Sequence, residues 1–312
     1  RLRQHNASRC KQTARQIAFY YHGVGNKMES SALGQTLGGA FGLGASGIVD
    51  RAYLDVALAY RPGDRIFIFG FSRGAAIARL LASAIGTRRI PTSLWTLRVF
   101  GRHRVVSTSA LRCTNVDVDV LGCWDTVGAF GIAKNILGIP FQQMNLLKDL
   151  SVSLSVKRAY HMVALDETRD AFVPTLMQPD PVHPERITEV WFSGDHSNIG
   201  GGHATRELSD ITLDFLLRHV SGDYGRHDQS PGAWGLYLAE NHGETVKIRP
   251  DPRGALRRST GAMYAHAPRE LPQNAVLHDT VFQRMKEASP LYAPQSLFDL
   301  NSALLLQRTH VE

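Results

Sequence analysis

The chain has 312 residues, 43% hydrophobic and 20% charged, with 35 Lys and Arg against 28 Asp and Glu for a net charge of +7. That is apolar material for one large or two small cores, too unbiased for a disordered chain, and it holds no run near the roughly 18 apolar residues of a membrane-spanning helix. The basic excess permits a mild attraction to phosphates or anionic membranes, but the basic residues are scattered and no motif that reads DNA or RNA occurs, so nucleic acid is not an expected partner.

Cys10, Cys113 and Cys123 are too few, and wrongly spaced, for a disulfide framework or a thiolate metal site; Cys123 lies in an apolar run as a buried thiol would. The chain begins Arg1-Leu2-Arg3 and shows no signal peptide. The expectation is a chain without membrane spans, resident in the cytoplasm of the producing cell or exported without a leader, and one that begins after the true start of its protein.

In chain order, Gln16–Tyr21 predicts a buried strand running into the tight loop His22-Gly23-Val24-Gly25. Residues 38–47 (GGAFGLGASG) predict a glycine-rich loop, and Ile48–Tyr60, with apolar residues at helical spacing, a helix. Arg65–Phe69 (RIFIF) is a dense strand, Ala75–Gly86 a helix closed by glycine, and Val116–Cys123 another strand. Ser155–Arg169 reads as a helix, Thr188–Phe192 as a strand, and Glu207–Val220 and Leu277–Lys286 as helices. Strands alternating with helices imply one α/β domain over residues 1–312, with a mostly parallel sheet covered on both faces. An apolar excursion at about 128–150 and a C-terminal extension are additions to that domain. Phe130–Leu147 suits a lid or acyl-binding wall as well as it suits core packing.

Chemistry concentrates at Gly70-Phe71-Ser72-Arg73-Gly74, a G-x-S-x-G placed where a strand passes into a helix. An alcohol is a poor nucleophile; it needs an exposed, strained corner, a nearby base and donors for the developing oxyanion. The glycines permit a sharp turn, and the following helix aims N–H groups at negative charge, with the Arg73 amide as one donor. Phe71 and Gly23 are further candidate oxyanion or substrate contacts. Two later strands end in Trp124-Asp125-Thr126 and Asp195-His196-Ser197, which a parallel sheet brings to the same edge. The order Ser72, Asp125, His196 is that of a hydrolase triad on this architecture. His278 competes as base and Asp195 as acid. Asp125, Asp195, His196 and His203 make a metal-assisted alternative. Gly42–Gly47 matches G-x-G-x-x-G, but no strand directly precedes it and the next strand ends in Ser72 rather than an acid, which argues against a dinucleotide site.

Three segments together resemble the signatures of the DUF2235 α/β-hydrolase family, which includes the catalytic domain of Tle1-type phospholipase effectors of type VI secretion. They are Gly70–Ala75 (GFSRGA), Trp124–Ala129 (WDTVGA) and Gly194–Gly202 (GDHSNIGGG). Weaker matches at Tyr21–Gly25, Ala164–Arg169, Leu277–Val281 and Tyr292–Pro294 fall in the same order, so the resemblance runs over roughly residues 16–297. It implies Ser72, Asp125 and His196 as the triad, no metal or organic cofactor, and a phospholipid or other acyl ester as substrate. It also implies transient contact with a membrane surface and a secretion-machinery partner. Two departures matter. Asn198 stands where the family usually has aspartate. The family's opening Asp-Gly-Thr strand, whose loop would supply the second oxyanion donor, is expected to lie ahead of this chain, and its loss leaves a non-catalytic scaffold as a further alternative.

Overall fold

The computed structural model describes residues 3–5, 16–22, 38–91, 95–99, 102–107, 113–130, 144–145, 151–221, 248–257, 264–288 and 291–298. Its centre is a five-stranded sheet: β1 (Phe67–Phe71), β2 (Val118–Trp124), β3 (Val156–Ala164), β4 (Ile187–Phe192) and β5 (Val276–Leu277). All four pairings are parallel and the strands lie side by side in chain order. One line of register runs through Phe71, Trp124, Met162, Val190 and Val276, so the carboxyl ends of the strands gather along one edge.

Parallel strands are buried on both faces, and successive side chains serve opposite layers. Ile68, Leu121, Cys123 and Ala159 pack with Ala52 of α1 (Gly38–Ala59) and with Ala75, Ala78, Leu81 and Ile85 of α2 (Arg73–Arg88). Val120, Tyr160, Met162, Val190 and Phe192 pack with Leu208, Ile211, Phe215 and Leu216 of α4 (Glu207–Ser221) and with Ile199 of the short α3 (His196–Gly200). Helices on both faces of a parallel sheet are the expected α/β architecture. Burial pushes the Cys123 thiol up to about 12, in keeping with an inert core thiol.

Two local expectations are overturned. Ser155–Arg169 contains a strand, Val156–Ala164, rather than a helix. Val156, Ala159, Tyr160 and Val163 recur at helical spacing, and a central strand buried on both faces offers no alternation to contradict them. The expected loop at 38–47 is instead the first part of α1. Ala45 and Val49 pack with Ile77 and Ala84 of α2, a seam where small residues let the two helices approach. The G-x-G-x-x-G stretch therefore lies inside a helix, not at the strand-to-helix turn that a pyrophosphate needs.

Of Gln16–Tyr21, only Gln16–Ala18 is a strand; it pairs antiparallel with Arg3–His5, outside the central sheet. Tyr21 nonetheless reaches the core, its hydroxyl donating to Asp55 of α1 at 2.6 Å. Gly23 and all of Phe130–Leu147 except Phe130, Met144 and Asn145 lie outside the described residues. Those three belong to a two-residue antiparallel pair, Ala129–Phe130 with Met144–Asn145. The basic stretch from Arg249 folds back on α4, the Arg249 and Asp251 amides donating to Asp210 and Glu207.

His278, the competing base, is the N-cap of α5 (Asp279–Glu287): its Nδ1 accepts from the Thr280 amide and meets the Thr280 hydroxyl at 2.8 Å. Its ring stacks on Phe192, with centroids 4.6 Å apart. Burial pushes its pKa down to about 4.

Two stability measurements follow from these placements. Leu121, 1% exposed at the sheet centre, loses about 3 kcal/mol when cut to alanine; a urea-unfolding loss below about 1 kcal/mol would contradict its packing. For His278 the unfolded state binds the proton more readily than the folded state. Stability is therefore full above the ordinary imidazole pKa and is lost as pH falls towards 4, by about 2 kcal/mol between pH 8 and pH 5. His278→Asn, which keeps an N-cap side chain, should flatten that part of the urea-midpoint profile.

Candidate active site

At the carboxyl edge, β1 ends at Phe71 and α2 opens at Arg73, leaving Ser72 alone in the turn at φ 58° and ψ −126°. A non-glycine residue in that region is strained and is held there by its surroundings. The Ser72 carbonyl accepts from the Ala75 amide at 3.0 Å, starting the helix, and from the Val127 amide at 3.3 Å. Its own N–H donates to the Trp124 carbonyl at 2.9 Å. These bonds staple the serine turn to the turn that carries Asp125. Gly70 is required sterically, because a Cβ there would sit 2.3 Å from the Gly74 carbonyl oxygen. Gly74 itself faces open space, so the steric demand for glycine in this turn falls on Gly70. Arg73, half-buried, occupies the first helical position.

Asp125 follows the last residue of β2, at φ 41° and fully buried. Its Oδ1 accepts from the Ala164 amide at 2.9 Å and from Arg269 Nη1 at 2.6 Å. Its Oδ2 accepts from Arg269 Nη2 at 2.9 Å and lies 2.5 Å from His196 Nδ1. Burial alone would raise this carboxyl; the Arg269 guanidinium and the imidazole outweigh it and hold the group well below the usual carboxylate range. An ionised carboxylate only accepts, so His196 Nδ1 carries the hydrogen and Nε2 presents the lone pair of the neutral ring.

His196 is the first residue of α3 and is itself buried. Its ring packs against Phe71, 4.5 Å away by centroids, and against the edge-on Phe172 at 4.9 Å. Phe71 can come so near because residue 200 is glycine: a Cβ there would fall 2.1 Å from the Phe71 ring. The His196 amide donates to Glu167 Oε2 at 3.3 Å, and Arg169 grips both oxygens of Glu167 at 2.9 and 2.8 Å. One residue earlier, Asp166 Oδ2 accepts from the Gly194 amide at 2.6 Å and from the Tyr292 hydroxyl at 2.7 Å. Two adjacent carboxylates beyond β3 thus clamp the loop that presents the imidazole. Among the described residues no hydrogen bond joins Ser72 Oγ to His196; Phe71, adjacent to Ser72 in the chain, makes the contact with the ring.

Of the candidates read from the sequence, Ser72, Phe71, Arg73, Asp125 and His196 share this edge. Asp195 is committed elsewhere. It caps α3 by accepting from the Asn198 amide at 2.9 Å, while Asn198 Oδ1 accepts from the Asp195 amide at 3.2 Å. Asp195 also holds His203 Nε2 at 3.0 Å. Asn198, the departure from the family pattern, supplies the same capping oxygen an aspartate would. The metal-assisted set fits poorly: both Asp125 oxygens face a guanidinium, and among the described residues no group of three or more His, Cys, Asp or Glu side chains is placed to hold a metal ion.

Arg269, Phe172 and Glu167 were not legible as site residues. Glu167 lies in the weaker Ala164–Arg169 match, which was a usable signal; Arg269, isolated in Ala267-Pro268-Arg269-Glu270, had none. A second histidine–carboxylate pair stands behind the Asp125 turn. His161, fully buried, accepts from the Thr126 amide at 3.1 Å, while its Nδ1 meets Glu189 at 2.8 Å. A cavity of about 410 Å³ lined by Asp64, Arg65, Asp119 and Lys157 opens at the opposite edge of the sheet. Its charged walls do not suit an acyl chain, and it lies apart from these residues.

Comparison with known proteins bears on this edge. The model of the type VI secretion phospholipase effector Tle1-like catalytic domain matches residues 1–90 and 97–219, which take in Ser72, Asp125 and His196. An uncharacterized protein of Saccharomyces cerevisiae is 27% identical over 256 residues, covering 70% of this chain and 35% of the relative. Among solved structures, an uncharacterized protein from Pseudomonas aeruginosa is 20% identical with a TM-score of 0.32, covering 60% of this chain and 28% of that one. The Tle1 effector bound to the VgrG spike is 23% identical with a TM-score of 0.33, covering 55% and 34%. The chain spans about a third of the length of these relatives. No helix among the described residues is long and apolar enough to cross a membrane. Because the family model matches well over half of its residues, the chain belongs to the family of type VI secretion phospholipase effector Tle1-like catalytic domains.

Proposed function

We propose that this chain hydrolyses acyl esters of phospholipids through a Ser72–His196–Asp125 triad. The observation that carries the reading is the 2.5 Å contact between His196 Nδ1 and the buried Asp125 carboxylate, beside a serine held in a strained strand-to-helix turn. In this reading Ser72 Oγ attacks the ester carbonyl while His196 Nε2 takes its proton. Asp125 keeps Nδ1 protonated and stabilises the imidazolium. The first amides of α2, that of Arg73 among them, face the oxyanion. His196 returns the proton to the leaving alcohol, and water, activated by the same imidazole, releases the acid from the acyl-enzyme. Family membership supports a lipid ester as substrate, and the Phe71 and Phe172 rings give the site an apolar wall. Association with a type VI secretion spike, as in the solved Tle1 complex, is part of the same proposal.

Phospholipid vesicles and a fluorophosphonate probe test it. Wild type should label at Ser72 and release fatty acid, and Ser72→Ala should lose labelling and about a thousandfold or more of turnover. Undiminished turnover by Ser72→Ala would refute the assignment. For the base, His196→Ala should be as inactive as Ser72→Ala, with His278→Asn within about threefold of wild type. The reverse result would hand the role to His278.

A further inference from the structure

Asp125 is fully buried, and two partners bring positive charge or polar hydrogen to its carboxylate from side chains: His196 from α3 and Arg269 from the segment 264–270. Arg269 is itself 7% exposed, and its two Nη atoms meet four acceptor oxygens on three residues. It binds both Asp125 oxygens, and it donates from Nη1 to the Ala164 carbonyl at 2.7 Å and from Nη2 to the Phe172 carbonyl at 2.6 Å. The fork therefore ties together the end of β3, the residue whose ring abuts His196, and the carboxylate facing the imidazole. Other titratable groups nearby have partners of their own: Glu167 binds Arg169, Asp195 binds His203, Glu189 binds His161 behind Thr126, and Asp166 accepts from the Gly194 amide and the Tyr292 hydroxyl. None of them bonds to Asp125.

We propose that Arg269 is a positioning residue of the hydrolytic site, keeping Asp125 ionised and aiming its Oδ2 at His196 Nδ1. The proposal rests on the triad reading and adds a fourth member, from a part of the chain beyond the residues the family model matches. The physical argument concerns the tautomer. A buried carboxyl group without a counter-charge takes up a proton near neutral pH, because the interior solvates its anion poorly. A protonated Asp125 would donate to Nδ1 instead of accepting from it, leaving the hydrogen of the neutral ring on Nε2, where it cannot receive the serine proton. A bidentate guanidinium prevents this, and its planar fork fixes the carboxylate orientation as a lysine ammonium would not.

The test compares Arg269→Gln and Arg269→Lys with wild type by vesicle hydrolysis from pH 6 to 9.5, with urea midpoints measured alongside. Arg269→Gln keeps a donor but no charge. It should lose about 100-fold in kcat/KM at pH 7 and regain much of that at alkaline pH, its acidic limb moving up by at least about one unit. Arg269→Lys keeps the charge and should retain the wild-type limb with a uniform loss of about tenfold or less. A pH-independent loss of equal size in both variants would reduce Arg269 to a structural role and overturn the proposal. So would an unchanged profile in Arg269→Gln. If Arg269→Gln does not fold, Arg269→Lys decides alone: an acidic limb displaced by a unit or more overturns the proposal, and a wild-type limb upholds it. An active Ser72→Ala would instead sink the triad reading itself, so the two failures are separable.

Discussion

Taking a carboxylate completely out of water costs several kcal/mol unless opposite charge and hydrogen-bond donors surround it. Asp125 meets that demand with an amide from the end of β3, both arms of Arg269 and the imidazole of His196. The rest of the edge is arranged around this one buried charge. The ordered sheet lines up the strand ends, Arg269 closes over them, and the imidazole that completes the carboxylate's coordination is thereby fixed in ring orientation and in tautomer.

The surroundings of His196 show the same economy of rigid supports. Phe71 and Phe172 both pack on the ring, while Asp166 and Glu167 accept from the amides of Gly194 and His196. Tyr292 reaches back from near the C-terminal end of the described chain to bond Asp166. On the other flank, His161 and Glu189 fix the Thr126 amide and so the turn after Asp125. A site whose side chains are locked by packing and by outer hydrogen bonds avoids reorganisation when charge moves through it. The weak sequence matches at Ala164–Arg169 and Tyr292–Pro294 acquire a physical meaning here: they are the clamp and its anchor.

Strain is concentrated where the chemistry is expected. Ser72 and Asp125 are two of three non-glycine residues with positive φ among the described residues, and they follow neighbouring strands at paired positions. Their turns are stapled to each other through Ser72 N–H, Trp124 and Val127, so neither relaxes without the other. A helix start and a buried ion pair offset that cost within a few ångströms.

The α/β class, the strand-to-helix turn at Ser72 and the strand-end positions of Asp125 and His196 were legible in the amino-acid sequence. Each is a local signal: dense apolar strands, a glycine where the backbone passes another backbone, and polar residues placed just beyond strand ends. The pattern misleads at Val156–Ala164 because a strand buried on both faces has no period of its own, and at residues 38–47 because glycines that serve helix contact look like those that serve a loop. That Asp195 caps a helix while Asp125 faces the imidazole, and that Arg269, 144 residues beyond Asp125, supplies the counter-charge, emerges from the folded arrangement alone. Such choices depend on which side chains share a low-dielectric space, and separation along the chain carries no record of that.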